Sequence, residues 1–174
     1  MLASRASVNL DLLTQAFRVS CRVNVGATGL IGLLNDVTTS LVDVEDVYYS
    51  RLNQPARIVS HLDSAHLAKS NLALVVLSRR EDLGPQGLAR GGYSRLQPVP
   101  VLVTTAAFEV QGTIEVVTKF EAVELLMGGT GRYLNVYNAS AVMALSPETV
   151  FSGAVILVNR NTVEMLAPLG RGKA

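Results

Sequence analysis

Read against itself, this chain of 174 residues offers one run of apolar segments twice, from Arg18 to Ser78 and again from Val99 to Asn159. Cys21–Val25 followed by Leu30–Leu34 answers Val101–Thr105 followed by Val110–Ile114. Arg57–Asp63 answers Arg132–Asn138, and Ala73–Arg79 answers Ala154–Arg160. The interval drifts between roughly 75 and 81 residues, as expected when loops vary and apolar segments keep their order. Duplication constrains architecture before it says anything of chemistry. It implies two units of roughly 65 to 75 residues, near the lower limit for independent folding, so the units are expected to lean on each other.

Composition sharpens this. Apolar residues make up 49% of the chain and charged ones 17%, which excludes intrinsic disorder and calls for more buried surface than two small cores supply. Aromatics are few and Trp is absent, so the cores are aliphatic. No apolar run reaches the roughly 18 to 20 residues of a spanning helix. The first residues are broken by Arg5, Asn9 and Asp11, unlike the continuous apolar core of a secretory signal, and the expected location is the cytoplasm. Cys21, alone in the chain, cannot form an internal disulfide and reads as a buried, inert thiol. A net charge of +1 without a basic block gives nucleic-acid binding no support from composition.

Along the chain, Leu10, Leu13 and Phe17 have the three-and-four spacing of a short amphipathic helix. Its expected role is a lid over an open barrel end or, alternatively, a docking arm. Each copy then opens with two β runs in which Gly32 and Gly112 read as bend points of a long strand. A helix is expected next: Phe120, Val123, Leu126 and Met127 behind a Thr118–Glu121 capping box in the second copy, and Leu41, Val44, Val47 and Tyr48 in the first. Further β runs follow at Arg132–Tyr137, Ser140–Leu145, Ala154–Val158 and Thr162–Leu166, with Ile58–Leu62, Ala65–Ala68 and Leu72–Leu77 in the first copy. In the second copy Tyr133, Asn135 and Tyr137 alternate with Leu134 and Val136. Ala154–Val158 is wholly apolar, the mark of a central strand buried on both faces.

At Val110–Ile114, Arg132–Ala139 and Ala154–Asn161 the chain resembles a family of small bacterial domains of unknown function, in which a glycine-bearing strand pair precedes a short helix and two further strands. The second copy fits nearly end to end; in the first, Ser78 stands for Asn159 and Asp63 for Asn138. That resemblance implies a fold and no activity. A lesser likeness is to Sm-like barrels, through Gly112 in a bent strand and the turn at Ile156–Met165. The glycine of that turn is replaced by Asn161, and the RNA-binding loop and the helix-free connection of Sm proteins have no counterpart.

Chemistry-bearing patterns are few. His61 and His66 lie five apart without a Cys or carboxylate cluster, so they read as strand or turn histidines and no metal is expected. Asp43, Glu45, Asp46, Glu121 and Glu124 read as a solvated helix face. The serines lack a nucleophile motif. Gly128–Arg132 follows a helix instead of preceding one, and so reads as a C-cap and turn. Arg57, Arg79, Arg132 and Arg160 recur at matched positions. Their bland reading is hydrogen bonding at strand ends; their functional reading is a doubled anion or RNA contact.

The sequence therefore predicts a mainly β (α+β) protein: two tandem small barrel-like β units, each with one short inserted helix, plus a short N-terminal helix. The expected layout is a helical arm at 1–17, a first repeat at 18–81, a linker at 82–98, a second repeat at 99–169 and a tail at 170–174. The expected function is a non-catalytic interaction or assembly module that binds a protein partner or itself, with no cofactor. The alternative is an Sm-like RNA binder using Arg57, Arg79, Arg132 and Arg160.

Overall fold

The computed structural model describes residues 6–88, 95–129 and 131–170. Ten strands make up one antiparallel sheet: β1 (Ala6–Leu13), β2 (Phe17–Val25), β3 (Leu41–Arg51), β4 (Ile58–Ala68), β5 (Leu74–Leu77), β6 (Gln97–Thr105), β7 (Phe108–Val116), β8 (Tyr133–Met143), β9 (Ser146–Asn159) and β10 (Val163–Pro168). Among the described residues three short helices accompany them: α1 (Gly29–Asn35), α2 (Pro85–Leu88) and α3 (Ala122–Met127). The strands lie in the order β10-β6-β7-β8-β9-β5-β1-β2-β3-β4. The mainly β class is as expected. In place of two barrel-like units there is one continuous sheet, which does not close on itself: among the described residues β4 and β10 each have a neighbour on one side only.

Among the described residues of the expected arm there is no helix; Ala6–Leu13 is strand β1. Leu10, Leu13 and Phe17 fit a helical spacing, but Val8, Leu10 and Leu12 also alternate with Asn9 and Asp11, and the strand period wins. It wins because β2 offers a full ladder, from Ala6 opposite Val25 to Leu13 opposite Arg18. Val19, Cys21, Val23 and Val25 then join the same buried face as Val8, Leu10 and Leu12.

The expected helix at Leu41–Tyr48 is strand β3, and its false helical spacing has a physical cause. Asp46 adopts a left-handed φ of 51° and sits in a β-bulge, where the register against β2 shifts between Ser20 and Arg22. One extra residue turns the inward positions into Val42, Val44 and Val47, which imitates the three-residue step of a helix. Asn138, with φ 47°, stands at the matching bulge of β8. The first-half helix lies instead at Gly29–Asn35, where Leu30, Ile31 and Leu34 are buried; Gly32 is thus helical. Gly112 does lie in a strand, β7, at the bulge opposite β8, where a Cβ would come within 2.7 Å of Val136 Cγ1 and 2.8 Å of the Tyr137 carbonyl. In the second half α3 is close to its expected place, but its N-cap is Glu121 with no side-chain cap bond, so the capping box does not form. Nor is its apolar stripe core: Val123 and Met127 are exposed.

Arg132–Tyr137 and Ser140–Leu145, expected as two strands, are one bulged strand, β8. Ala154–Val158 is central, as its composition indicates, with β8 on one side and β5 on the other. Two cores lie on opposite faces of that β5–β9 pair. Val75, Leu77, Val155 and Leu157 belong to the first core, with β1, β2, α1 and β3. Their alternate neighbours Leu74, Val76, Ile156 and Val158 belong to the second, with β6, β7 and β8. Within the expected linker, Leu83 is fully buried in a 3-10 turn (Arg80–Leu83), α2 follows, and Gln97 and Pro98 begin β6. Residues 89–94 and the tail residues 171–174 lie outside the described residues, as does the start of the expected arm, 1–5.

The halves are laid out alike, in the orders β5-β1-β2-β3-β4 and β10-β6-β7-β8-β9. Details match at a spacing of 91 or 92. Thr14 Oγ1 accepts from Phe17 N–H and Thr105 Oγ1 from Phe108 N–H. Leu52 N–H bonds Ala16 O and Ala144 N–H bonds Ala107 O. Lys69 N–H bonds Ser40 O and Arg160 N–H bonds Arg132 O. This spacing differs from the interval of the apolar segments. Ala73–Arg79 and Ala154–Arg160 are not counterparts in the layout; their strands are direct neighbours, Leu74 opposite Val158 and Leu77 opposite Val155.

Candidate functional site

The chemistry-bearing side chains gather where the halves meet. β4 and β9 each end in a 3-10 turn, Lys69–Asn71 and Arg160–Thr162, and each turn begins with a cation. Lys69 is fully buried; its Nζ donates to Leu33 O at 2.7 Å, Asp36 O at 2.9 Å and Thr39 Oγ1 at 2.8 Å. The two carbonyls belong to the C-terminal end of α1, where unpaired acceptors and the negative end of the helix dipole favour a cation. Burial lowers the Lys69 pKa, and Asp36 opposes that shift. Arg160 does the same work for α3, its NH1 donating to Gly128 O at 2.7 Å. Burial lowers its pKa as well.

The two cations differ in how fully they are satisfied. All three Lys69 protons have acceptors. Arg160 keeps its Nε buried with no hydrogen-bond partner among the described residues, and it makes no ion pair there. The Tyr133 hydroxyl is in the same state: the residue is 4% exposed and its oxygen has no partner. Burial pushes the Tyr133 pKa up to about 12. Buried polar atoms without partners are rare. Both of these residues line one cavity of about 320 Å³, bounded also by Ile31, Asn35, Arg80, Ile114, Glu115, Leu125 and Asn135.

The cavity spans the two halves. Asn35, the last residue of α1, accepts the Arg132 N–H at 2.8 Å. Arg80 pairs with Glu115 at 2.8 Å, with its guanidinium carbon 4.1 Å from the Tyr137 ring centre. Asn159, buried at the end of β9, donates from Nδ2 to Leu72 O at 2.8 Å. Fixed groups thus surround the cavity, and its Arg80 charge is already balanced by Glu115.

Of the four arginines singled out in the sequence, the structure brings Arg132 and Arg160 together through the Arg160 N–H to Arg132 O bond of 3.0 Å. Arg57 is an exposed residue of the β3–β4 turn. Arg79 follows β5, is exposed, and pairs with Asp82 at 2.7 Å. His61 and His66 both lie on β4, each beside an aspartate of β3: His61 Nε2 to Asp46 at 2.8 Å, and His66 Nδ1 to Asp43 at 2.6 Å. His61 also stacks on Tyr48, ring centres 4.2 Å apart. Among the described residues no three His, Cys, Asp or Glu side chains are grouped to hold a metal. Cys21 is buried, and desolvation, with Asp11 adding, pushes its pKa up to about 12.

Sequence reasoning missed Lys69 and Tyr133. The alternation of Tyr133, Asn135 and Tyr137 against Leu134 and Val136 was the available signal, because all three polar-tipped side chains line this cavity. Comparison with protein-family models, with curated proteins and with solved structures finds no match for this chain. No helix among the described residues is long and apolar enough to cross a membrane.

Proposed function

We propose that this protein is a tandem-repeat assembly module whose copies join head to tail, β4 of one chain pairing with β10 of the next. The observation that carries this is the β5–β9 pair. Inside the chain, the fifth strand of the first half pairs with the fourth strand of the second. The free ends of the sheet are the same two strands in reverse: the fourth of the first half, β4, and the fifth of the second, β10.

The state of the free edge supports the reading. Val155–Val158 of β9 are fully buried, whereas no residue of β4 is buried on either face. Ile58, Val59 and Leu62 on β4, and Leu41 and Tyr48 on β3, are 40–49% exposed. An apolar strand with an unpaired ladder is a template for another strand.

Transposing the internal register sets Met165 opposite Leu67, Leu166 opposite His66 and Ala167 opposite Ala65. Lys69 N–H bonds inward to Ser40, so Ala68, His66 and Ser64 turn their backbone groups outward. Leu169 N–H bonds inward to Pro100, so Leu166 and Pro168 do likewise on β10. Pro168 lacks an N–H, which ends the shared ladder there. Such a junction is heterologous and generates a ring or a filament. The nucleic-acid reading has less support, since Arg79 is paired with Asp82 and Arg160 is engaged at α3.

The test is mass in solution together with edge-specific cross-linking. Concentration-dependent growth beyond the monomer mass is expected. Under oxidising conditions a mixture of His66→Cys and Leu166→Cys single variants is expected to form a disulfide-linked species that neither forms alone. A monomer at every concentration sinks the reading. Cross-linking by His66→Cys alone would replace head-to-tail pairing with a β4–β4 dimer.

A further inference from the structure

We propose, on the premise of the head-to-tail junction, that charge gives this junction its direction: the basic segment Arg171–Lys173 of one chain docks in the hollow lined by Glu45, Asp46 and Asp63 at the β4 edge of the next.

The first observation is the hollow itself. About 390 Å³ is lined by Arg22, Glu45, Asp46, His61, Asp63 and Ser64. Arg22 is spent on Glu45, at 3.2 Å. Asp46 is held by His61, at 2.8 Å. Asp63 is exposed, and its carboxylate makes no ion pair among the described residues. Three acids therefore share one arginine on the edge strand and its neighbour.

The second is where the incoming chain leaves that edge. The transposed register sets Leu169 of one copy opposite Asp63 of the next, as Leu77 stands opposite Val155 inside the chain. A Cβ at Gly153 would stand 2.6 Å from the Leu77 carbonyl. At the junction His61 takes the Gly153 position and Leu169 that of Leu77, so the incoming backbone has to part from β4 at Leu169. Gly170 supplies the freedom to do so, beside Asp63.

The third is the sequence that follows. Beyond Gly170 come Arg171, Gly172 and Lys173, with no acid among them. Two residues of extended chain span about 7 Å, so Arg171 arrives within a side chain's reach of Asp63. Its planar guanidinium suits a carboxylate. Only head-to-tail pairing brings these opposite charges together. A β4–β4 contact would set two acidic rims against each other, and a β10–β10 contact two basic segments; like charges placed so disfavour the wrong partner.

The experiment measures sedimentation of the full chain at about 50 mM salt, where surface charges are weakly screened. Asp63→Lys and Arg171→Glu are compared alone and as an equal mixture. Each variant alone sets like charges together and is expected to need about five- to tenfold more protein to assemble. In the mixture, junctions between unlike chains again join opposite charges, so assembly is expected to return to the native range. At about 500 mM salt the differences should shrink. Recovery in the mixture also shows that both variants are folded. Single variants that assemble like the native chain, or a mixture no better than either alone, overturn the proposal. The His66→Cys with Leu166→Cys cross-link keeps the two readings apart. Formed equally in the native and Asp63→Lys backgrounds, it leaves the strand junction standing and removes the tail contact. Absent from the native background, it removes the junction and the tail contact with it.

Discussion

Lys69 Nζ lies 2.7 Å from the carbonyl oxygen of Leu33, although the two residues are on different elements and 36 positions apart. With Asp36 O and Thr39 Oγ1 completing its partners, this ammonium closes the end of α1 and fixes the chain where it leaves the helix for β3. Removing the charge but not the bulk tests this. Lys69→Met leaves two carbonyls and a hydroxyl without a donor in a buried site, and is expected to cost about 2–4 kcal/mol in urea unfolding. A loss under about half a kcal/mol would mean that water serves the helix end as well.

Gly29 and Gly84 hold α1 against the 3-10 turn at Arg80–Leu83. Both have left-handed φ, +71° and +81°, and a Cβ on Gly84 would stand 2.5 Å from Gly29 Cα. Backbone meets backbone here, so no side chain can swing aside. Gly84→Ala combines the φ penalty with a steric clash and is expected to lower stability by about 2–4 kcal/mol. Thermal unfolding of this variant beside Gly26→Ala, a position with open space around its Cβ site, checks that the effect is local.

What was legible in the sequence was what period-two patterning controls. β2, β7 and the all-apolar stretch of β9 read correctly because each face has one environment along its length. Where a bulge breaks the period, as at Asp46, strand spacing imitates helix spacing and no local signal separates them. The interval of the layout was obscured for a related reason: β5 and β9 look alike because they share both cores as neighbours, and shared burial selects the same aliphatic residues. The true positional counterpart of Asn159 is Ala68, a pair with no chemical likeness to find. At the cavity, Arg160 stood out by type. Tyr133 did not, because its orphaned hydroxyl is a property of three dimensions.

Asn159 ties the halves together through Leu72, whose carbonyl it meets at 2.8 Å, and its own backbone N–H bonds Ala73 O at 2.9 Å. Its Oδ1 also accepts from Asn161 N–H at 3.1 Å, which shapes the turn carrying Arg160. Asn159→Ala removes both side-chain bonds and strands a buried carbonyl. A loss of about 2–3 kcal/mol is expected in denaturant unfolding. Asn159→Asp keeps the acceptor but loses the donor and buries a charge, so it should be the worse of the two at neutral pH. The opposite ranking would show that the turn, and not the bond across the junction, sets the requirement.

Alkaline pH should destabilise the protein through Cys21. Its pKa rises from 9.0 to about 12 because the thiolate would be buried beside Asp11. A raised folded-state pKa means that the folded state binds the proton more tightly than the unfolded chain. The contribution is therefore whole below pH 9 and falls away as pH climbs towards 12, by about 4 kcal/mol over that window. Tyr133, raised from 10.0 to about 12, adds a loss of the same sign over the upper part of the range. Lys69, shifted down, works the other way: the folded state releases its proton first, so stability rises with pH as Lys69 deprotonates. Cys21→Ala leaves a small void at neutral pH but takes away the largest of these slopes. Plotted against pH from 8 to 11, its unfolding free energy should fall less steeply than that of the native chain. Parallel curves would show that the thiol is not the group that fails.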